Sequence, residues 1–228
     1  MKNKKILFLG RYKDEYSQQA YQILKKYFTN VNVVWSRFPK EKTKHKYFKQ
    51  KYDYIFSFRS YFILKNKILS RTKKAAINFH PSIPKYRGFG CANYALDNGE
   101  KFFGCTAHIM NEKIDDGSII NVHKFRIFKK QTLDEVLKKT HKHQINQLKI
   151  ISNIILNKEE SLMEFIELSK EEKWGKKIKN KYQLNKFYEI KLNQSKKKIL
   201  NHLRATILEN GNFRPYIKLN GKKFFLIK

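Results

Sequence analysis

Hydrophobic positions change their period several times along the chain, and those changes predict its elements. Residues 5 to 10 run Lys5, Ile6, Leu7, Phe8, Leu9, Gly10, the pattern of a strand buried on both faces of a parallel sheet and closed by glycine. Tyr16, Ala20, Ile23, Leu24 and Tyr27 then recur at helical spacing, and residues 31 to 35 return to strand character, which completes one βαβ unit. A Lys-rich stretch predicts a helix around residues 41 to 50, and residues 54 to 58 predict a third strand. Residues 75 to 80 give another apolar strand, which breaks at Pro81 into a loop reaching Gly88. Residues 89 to 98 predict a helix stopped by Asn98 and Gly99. Two strand-like runs, 104 to 110 and 118 to 122, flank a turn at Asp115, Asp116 and Gly117.

Thr132 and Glu135 have the spacing of a capping box, so a long helix over residues 132 to 157 is expected. Leu133, Val136, Leu137, Thr140, Leu148, Ile151 and Ile155 supply its core-facing stripe. Beyond a charged connection to about residue 176, the pattern predicts short strands around Tyr182 and over residues 187 to 190. A helix capped by Ser195 and carrying Ile199, Leu200 and Leu203 follows, and then a hairpin turned at Asn220 and Gly221. The alternation predicts an α/β fold with an open sheet. The domain reading is a catalytic domain over residues 1–158 and a small C-terminal extension over residues 159–228. Such a hairpin is marginal alone and must dock on the core or on a second subunit.

Composition changes this picture little. Hydrophobic residues make up 41% of the 228, enough for one sizeable core. No stretch has the roughly 20 apolar residues of a membrane span, and Met1 and Lys2 lead into a strand instead of a signal sequence, so membrane insertion is not expected and a cytoplasmic location is. Cys91 and Cys105 fit neither a CxxC pair nor a zinc spacing and read as buried thiols. The net charge of +31 points on its face to nucleic acid or an anionic membrane. The excess is Lys spread along the whole chain, so most of it reads as solvated surface, with a subset able to draw anionic substrates into a cleft. Gly10 is followed by Arg11, Tyr12 and Lys13, so neither GxGxxG nor a P-loop is present there.

Candidate chemistry sits at a strand exit, where open α/β sheets bind ligands. Asn78 and His80, two apart on an extended segment, project from one face, and Pro81 keeps His80 extended. An amide and a protonated imidazole are the donors a tetrahedral oxyanion needs. A carboxylate beside the ring would orient it and favour its charged form, and Asp115 is the candidate. Either fragment alone more often marks an ordinary turn. His141 and His143 fall on different helix faces and make no metal pair; no metal is expected.

Taken together, the stretch from Ile77 to Ile120 resembles the folate-dependent formyltransferases, which include methionyl-tRNA formyltransferase and glycinamide ribonucleotide transformylase. Asn78, His80 and Pro81 match their Asn-x-His-Pro, Gly88 their loop glycine, and Asn98-Gly99-Glu100 a following turn. Gly104, Thr106 and His108 match their Gly-x-Thr-x-His strand, and Asp115, two before Gly117, their final acid; the resemblance alone selects Asp115 over Asp116. Within the family, the segment from Arg87 to Asn93 and the tail from Leu203 onward resemble sugar N-formyltransferases.

The resemblance implies a Rossmann-like, doubly wound formyltransferase fold and N10-formyltetrahydrofolate as formyl donor, held by Phe62, Ile63, Ile114 and Asp115. It implies a nucleotide-linked amino sugar as acceptor, with a dTDP-4-amino-4,6-dideoxyhexose the expected class, used in O-antigen or lipopolysaccharide assembly. It also implies a homodimer through the hairpin. Ser82, Lys85, Tyr86, Arg87 and Asn93 lie beside the catalytic pair, where cations and donors can hold a pyrophosphate. The rivals are a methionyl-tRNA or small-nucleotide formyltransferase, and a non-catalytic basic nucleic-acid-binding protein on the same fold. The chain lacks room for a full tRNA-binding barrel, which sets nucleic acid behind the sugar nucleotide.

Overall fold

The computed structural model describes residues 3–39, 41–209 and 213–226; Met1 and Lys2, used above against a signal sequence, lie outside them. In chain order the elements are β1 (Lys5–Arg11), α1 (Glu15–Tyr27), β2 (Asn30–Ser36), β3 (Tyr52–Phe58), α2 (Asn66–Leu69), β4 (Thr72–His80), β5 (Arg87–Gly88), α3 (Cys91–Asp97), β6 (Phe102–Ile109), β7 (Ile119–Arg126), α4 (Leu133–Asn157), α5 (Ser161–Leu168), β8 (Ile178–Lys179), α6 (Lys181–Phe187), α7 (Lys196–Thr206), β9 (Tyr216–Leu219) and β10 (Lys222–Phe225). The main sheet has the order β2-β1-β3-β4-β6-β7. Its first four strands are parallel, β6 runs antiparallel to β4, and β7 runs antiparallel to β6 and so with the first four. The expected open α/β sheet flanked by helices is what the chain forms.

Alternation within the strands sorts the core. Ile6, Phe8, Tyr54, Phe56, Ile77 and Phe79 face α1, α4 and α5, while Leu7, Leu9, Ile55 and Ala76 face the opposite side with Phe48, Phe62, Leu64 and Ile68. Asn78 and His80 continue the row begun by Ala76, so period two alone places them on the face away from α1 and α4. Both faces being buried explains why β1 reads as a continuous apolar run. Among the described residues, no helix is long and apolar enough to cross a membrane.

Local signals acted as their chemistry predicts. Thr132 and Glu135 form the reciprocal capping box of α4, and Asp14 caps α1 by accepting from the Ser17 amide at 2.8 Å. Gly99 closes α3 at φ +69°, and Asn220 and Gly221 turn the β9–β10 hairpin at φ +48° and +74°. His141 and His143 do face different ways, one to Arg59 and Gln144, the other stacked on His123.

Four expectations are corrected. Residues 41 to 50 hold a single 3-10 turn, Lys46–Lys49, because Phe48 alone there is buried and one anchor cannot support several turns. The strand expected near Tyr182 is instead α6, capped by Asn180 and Gln183, with Leu184 and Tyr188 at helical spacing in a small cluster with Tyr216; of the strand expected over residues 187 to 190, only a single bridge from Glu189 to Tyr216 forms. Aromatic strand propensity lost to a local cap and to packing. Leu200 of α7 is exposed, and the helix docks on α3 through Ala205, with His202 on Asp97 and Arg204 on the Leu96 carbonyl. The connection after α4 is not open chain: Leu162 of α5 belongs to the main core.

Candidate active site

β4 lies between β3 and the antiparallel β6, and their register sets opposite Asn78 the residue His108, and opposite His80 the residue Thr106. Two period-two patterns, Asn-x-His and Thr-x-His, therefore meet face to face across one ladder. The Asn78 Nδ2 lies 3.1 Å from His108 Nε2. His108 Nδ1 sits 2.9 Å from the Ile109 carbonyl, an oxygen that only accepts, so Nδ1 carries the proton and Nε2 receives the Asn78 N–H. One amide N–H of Asn78 remains for a ligand. Burial, opposed in part by the Asp115 carboxylate, pushes His108 down to about 4, so its ring is neutral at pH 7.

His80 is 3% exposed, and both its ring nitrogens have partners. Nε2 donates to the Tyr86 carbonyl at 2.8 Å, and Nδ1 faces Asp115 Oδ1 at 3.4 Å. With Nε2 protonated, a proton on Nδ1 makes the ring an imidazolium directed at the carboxylate. The oxygen of a substrate has to share the Nε2–H with Tyr86 or displace that carbonyl. Asp115 is 9% exposed, holds φ at +47°, and accepts from the Gly88 amide at 2.9 Å through Oδ2. Gly117 two residues on lets the turn close on β6, since a Cβ there would run into the Ile109 carbonyl. Asp116 faces the other way, onto Arg87.

The residues expected to hold a pyrophosphate are differently employed. Arg87 is buried, donating to the Ile114 carbonyl and Asp116 at 2.8 Å each and to the Gly175 carbonyl at 3.1 Å. Its charge is matched where it stands, so it braces the Asp115 turn. Ser82 is fully buried, and its carbonyl accepts from Thr106. Tyr86 is buried, donates to Glu100 at 2.7 Å and accepts from Asn98 at 2.9 Å, which gives the Asn98-Gly99-Glu100 turn its purpose as a clamp on the loop. Asn93 is not on that loop but in α3, and its Nδ2 donates inward to Tyr188 and to the Ala205 carbonyl. Only Lys85 is exposed, in an ion pair with Glu100 that solvent can open.

Of the residues expected to meet folate, Phe62 is instead a core residue, edge-on to Phe48 at 5.1 Å. Ile63 and Ile114, 41% and 44% exposed, leave apolar surface open on the loops following β3 and β6, the two neighbours of β4. Among the described residues there is no group of His, Cys, Asp or Glu that could hold a metal ion. Both cysteines are free and buried; Cys91 Sγ donates to the Gly88 carbonyl, and burial raises its thiol. Sequence reasoning passed over two residues. His108 was in view as a motif match, but its role needed the register; Trp174, in a charged connection, gave no signal.

An open α/β sheet that gathers an amide, an imidazole and a carboxylate at one strand's exit defines a class of folds built for acid–base group transfer. Residues 9–151 match the formyl transferase family, and the chain belongs to that family. It is 45% identical over 92 residues to the bifunctional polymyxin resistance protein ArnA of Wigglesworthia glossinidia brevipalpis, covering 40% of this chain and 14% of that one. The curated relatives are matched over 6% to 39% of their own lengths. The fold is that of a 4-N formyltransferase from Francisella tularensis, with TM-score 0.72, 20% identity and coverage of 97% and 96% of the two chains. It is also that of the N-formyltransferase from Helicobacter canadensis in complex with folinic acid and dTDP-3-aminofucose, with TM-score 0.70, 19% identity and coverage of 96% and 85%.

Proposed function

We propose that this protein is a sugar N-formyltransferase, moving a formyl group from N10-formyltetrahydrofolate to the amine of a nucleotide-linked amino sugar, of which a dTDP-4-amino-4,6-dideoxyhexose is the expected class. The observation that carries the reading is His80 held between the Tyr86 carbonyl and the Asp115 carboxylate, one row position from Asn78. The likeness to sugar N-formyltransferases extends over nearly the whole chain, C-terminal extension included, which supports the choice of acceptor. The product serves surface polysaccharide assembly, and the hairpin joins two copies.

The residues present fit the apolar part of a folate: Ile63 and Ile114 offer apolar faces on either side of β4. When bound, the donor supplies a formyl carbonyl. Asn78 presents its free amide N–H to the carbonyl oxygen under attack by the amine, and His80 adds the second donor. Asp115 sustains the imidazolium and takes up the proton that the amine loses as its nitrogen bonds the formyl carbon; that proton passes on to the folate nitrogen, whose bond to the formyl carbon breaks as the new amide forms. Lys85, once released from Glu100, provides the mobile cation for the acceptor's phosphates.

The test is mass spectrometry on a panel of amino-sugar nucleotides incubated with the protein and the formyl donor. Addition of one formyl group to a member of the panel is expected. An unmodified panel beside formylated methionyl-tRNA, or beside tight tRNA binding with a steep salt dependence and no transfer, would overturn it.

A further inference from the structure

Trp174 has no part in that reading, yet it stands at the centre of the site. It lies in the connection between α5 and β8, beyond the residues that match the family. Its ring is edge-to-face with both imidazoles, centroids 5.8 Å from His80 and 4.9 Å from His108, at interplanar angles of 65° and 82°. Its indole N–H donates to the Gly117 carbonyl at 2.7 Å, on the turn that presents Asp115. The next residue locks the segment down: the Gly175 amide donates to the Pro84 carbonyl at 2.9 Å, and its carbonyl accepts from Arg87. A Cβ at Gly175 would run into the Lys85 carbonyl, so the approach is as close as backbone allows.

We propose that Trp174 is a positioning residue for formyl transfer, packing on His80 and His108 so that Asn78 keeps an N–H turned to the substrate, while its own N–H fixes the turn bearing Asp115. The inference rests on the formyl-transfer reading above. The groups facing His108 are Asn78 on β4, His80, the Asp115 carboxylate, the Arg87 guanidinium and Trp174. Of these, Trp174 alone is a large uncharged ring with no hydrogen bond to the imidazole. It excludes water from that side and leaves Nε2 a bare acceptor. Were His108 to charge, Nε2 would become a donor, and Asn78 would have to flip its amide to offer oxygen instead. A flipped amide turns its oxygen toward the position where the substrate needs a donor.

The test uses the full chain carrying W174A and W174F, with NMR titration of labelled histidines, thermal melting and steady-state kinetics. In W174A the His108 titration is expected to move upward by about one pH unit or more as water enters. Its kcat should fall by roughly 10–100-fold from misplacement of the donors, with the donor's KM changed far less. W174F, which restores an aromatic edge without the N–H, should recover much of the lost kcat and return the titration toward wild type. An unmoved His108 titration in W174A overturns the proposal, whatever the melting temperature does. So does a kcat loss equal in both variants that follows melting temperature. Should W174A fail to fold, W174L takes its place in the same titration. A wild-type protein without formyl transfer would sink the functional reading, while the imidazole titration still decides whether Trp174 positions the pair.

Discussion

At the scale of single residues, the site is a set of hydrogen-bond polarities fixed by groups that only accept. The Ile109 and Tyr86 carbonyls settle which nitrogen of His108 and of His80 carries a proton, and Asn78 and Asp115 then have one arrangement each. Replacing His80 by Asn, or Asp115 by Asn, should lower kcat by about 10²-fold or more, with near-native circular dichroism. Wild-type turnover in both variants would remove their proposed roles. Asn93 gives the opposite expectation. Its amide serves Tyr188 and the Ala205 carbonyl, so N93A leaves buried partners unpaired and should cost about 1–3 kcal/mol in urea unfolding. The acceptor's KM in that variant should stay unchanged; a large KM rise would return Asn93 to the ligand.

At the scale of elements, caps and cross-strand register decide more than propensity does. The Thr132–Glu135 box starts the 25-residue α4, and T132A should destabilise by about 1 kcal/mol, a shift of about 2–4 °C in Tm for a chain of this size. Helix α6 shows the same rule against a contrary sequence signal. Its aromatic residues favour a strand, but Asn180 and Gln183 close a capping box, and Leu184 fits against Gly90, held at φ +75°. Antiparallel insertion of β6 beside β4 is the element-level event that makes a site at all. A parallel partner would not set the Thr-x-His row opposite Asn-x-His in this register.

At the scale of the whole molecule, the buried histidines tie stability to pH. His141 is pushed down to about 3 by burial, and next by the Arg59 guanidinium beside it; His108 is pushed down to about 4. The unfolded chain takes up protons near pH 6.5 that the folded one refuses. Stability should therefore be full above about pH 6.5 and fall as pH drops toward the two folded values, at up to about 1.4 kcal/mol per pH unit for each ring. Asp14, raised by burial but lowered more by its bidentate pair with Arg59, adds a loss only at still lower pH. Urea midpoints measured from pH 7.5 to 5 should decline, and H141Q should flatten the slope; a pH-independent midpoint would contradict the burial argument. The +31 charge enters differently, because the carboxylates around the site are spent on named partners. The unpaired lysines raise the local concentration of anionic substrates and set no fold.

The order of strands and helices, the caps, the glycine stops and the shared face of Asn78 and His80 were legible in the sequence, because each depends on residues a few positions apart. The likeness over Ile77 to Ile120 also carried the family. What only the tertiary structure decided is which polar side chains remain free. Arg87, Tyr86 and Asn93 look like ligand donors in one dimension and are consumed by Asp116, Glu100 and Tyr188 in three, while Ser82 is closed off by burial. Trp174 reaches His108 across 66 residues of sequence, through a connection whose composition reads as solvent-facing. Partners so distant meet because burial of the apolar core fixes the chain's path, and hydrogen bonding then spends whatever polar groups that path brings together.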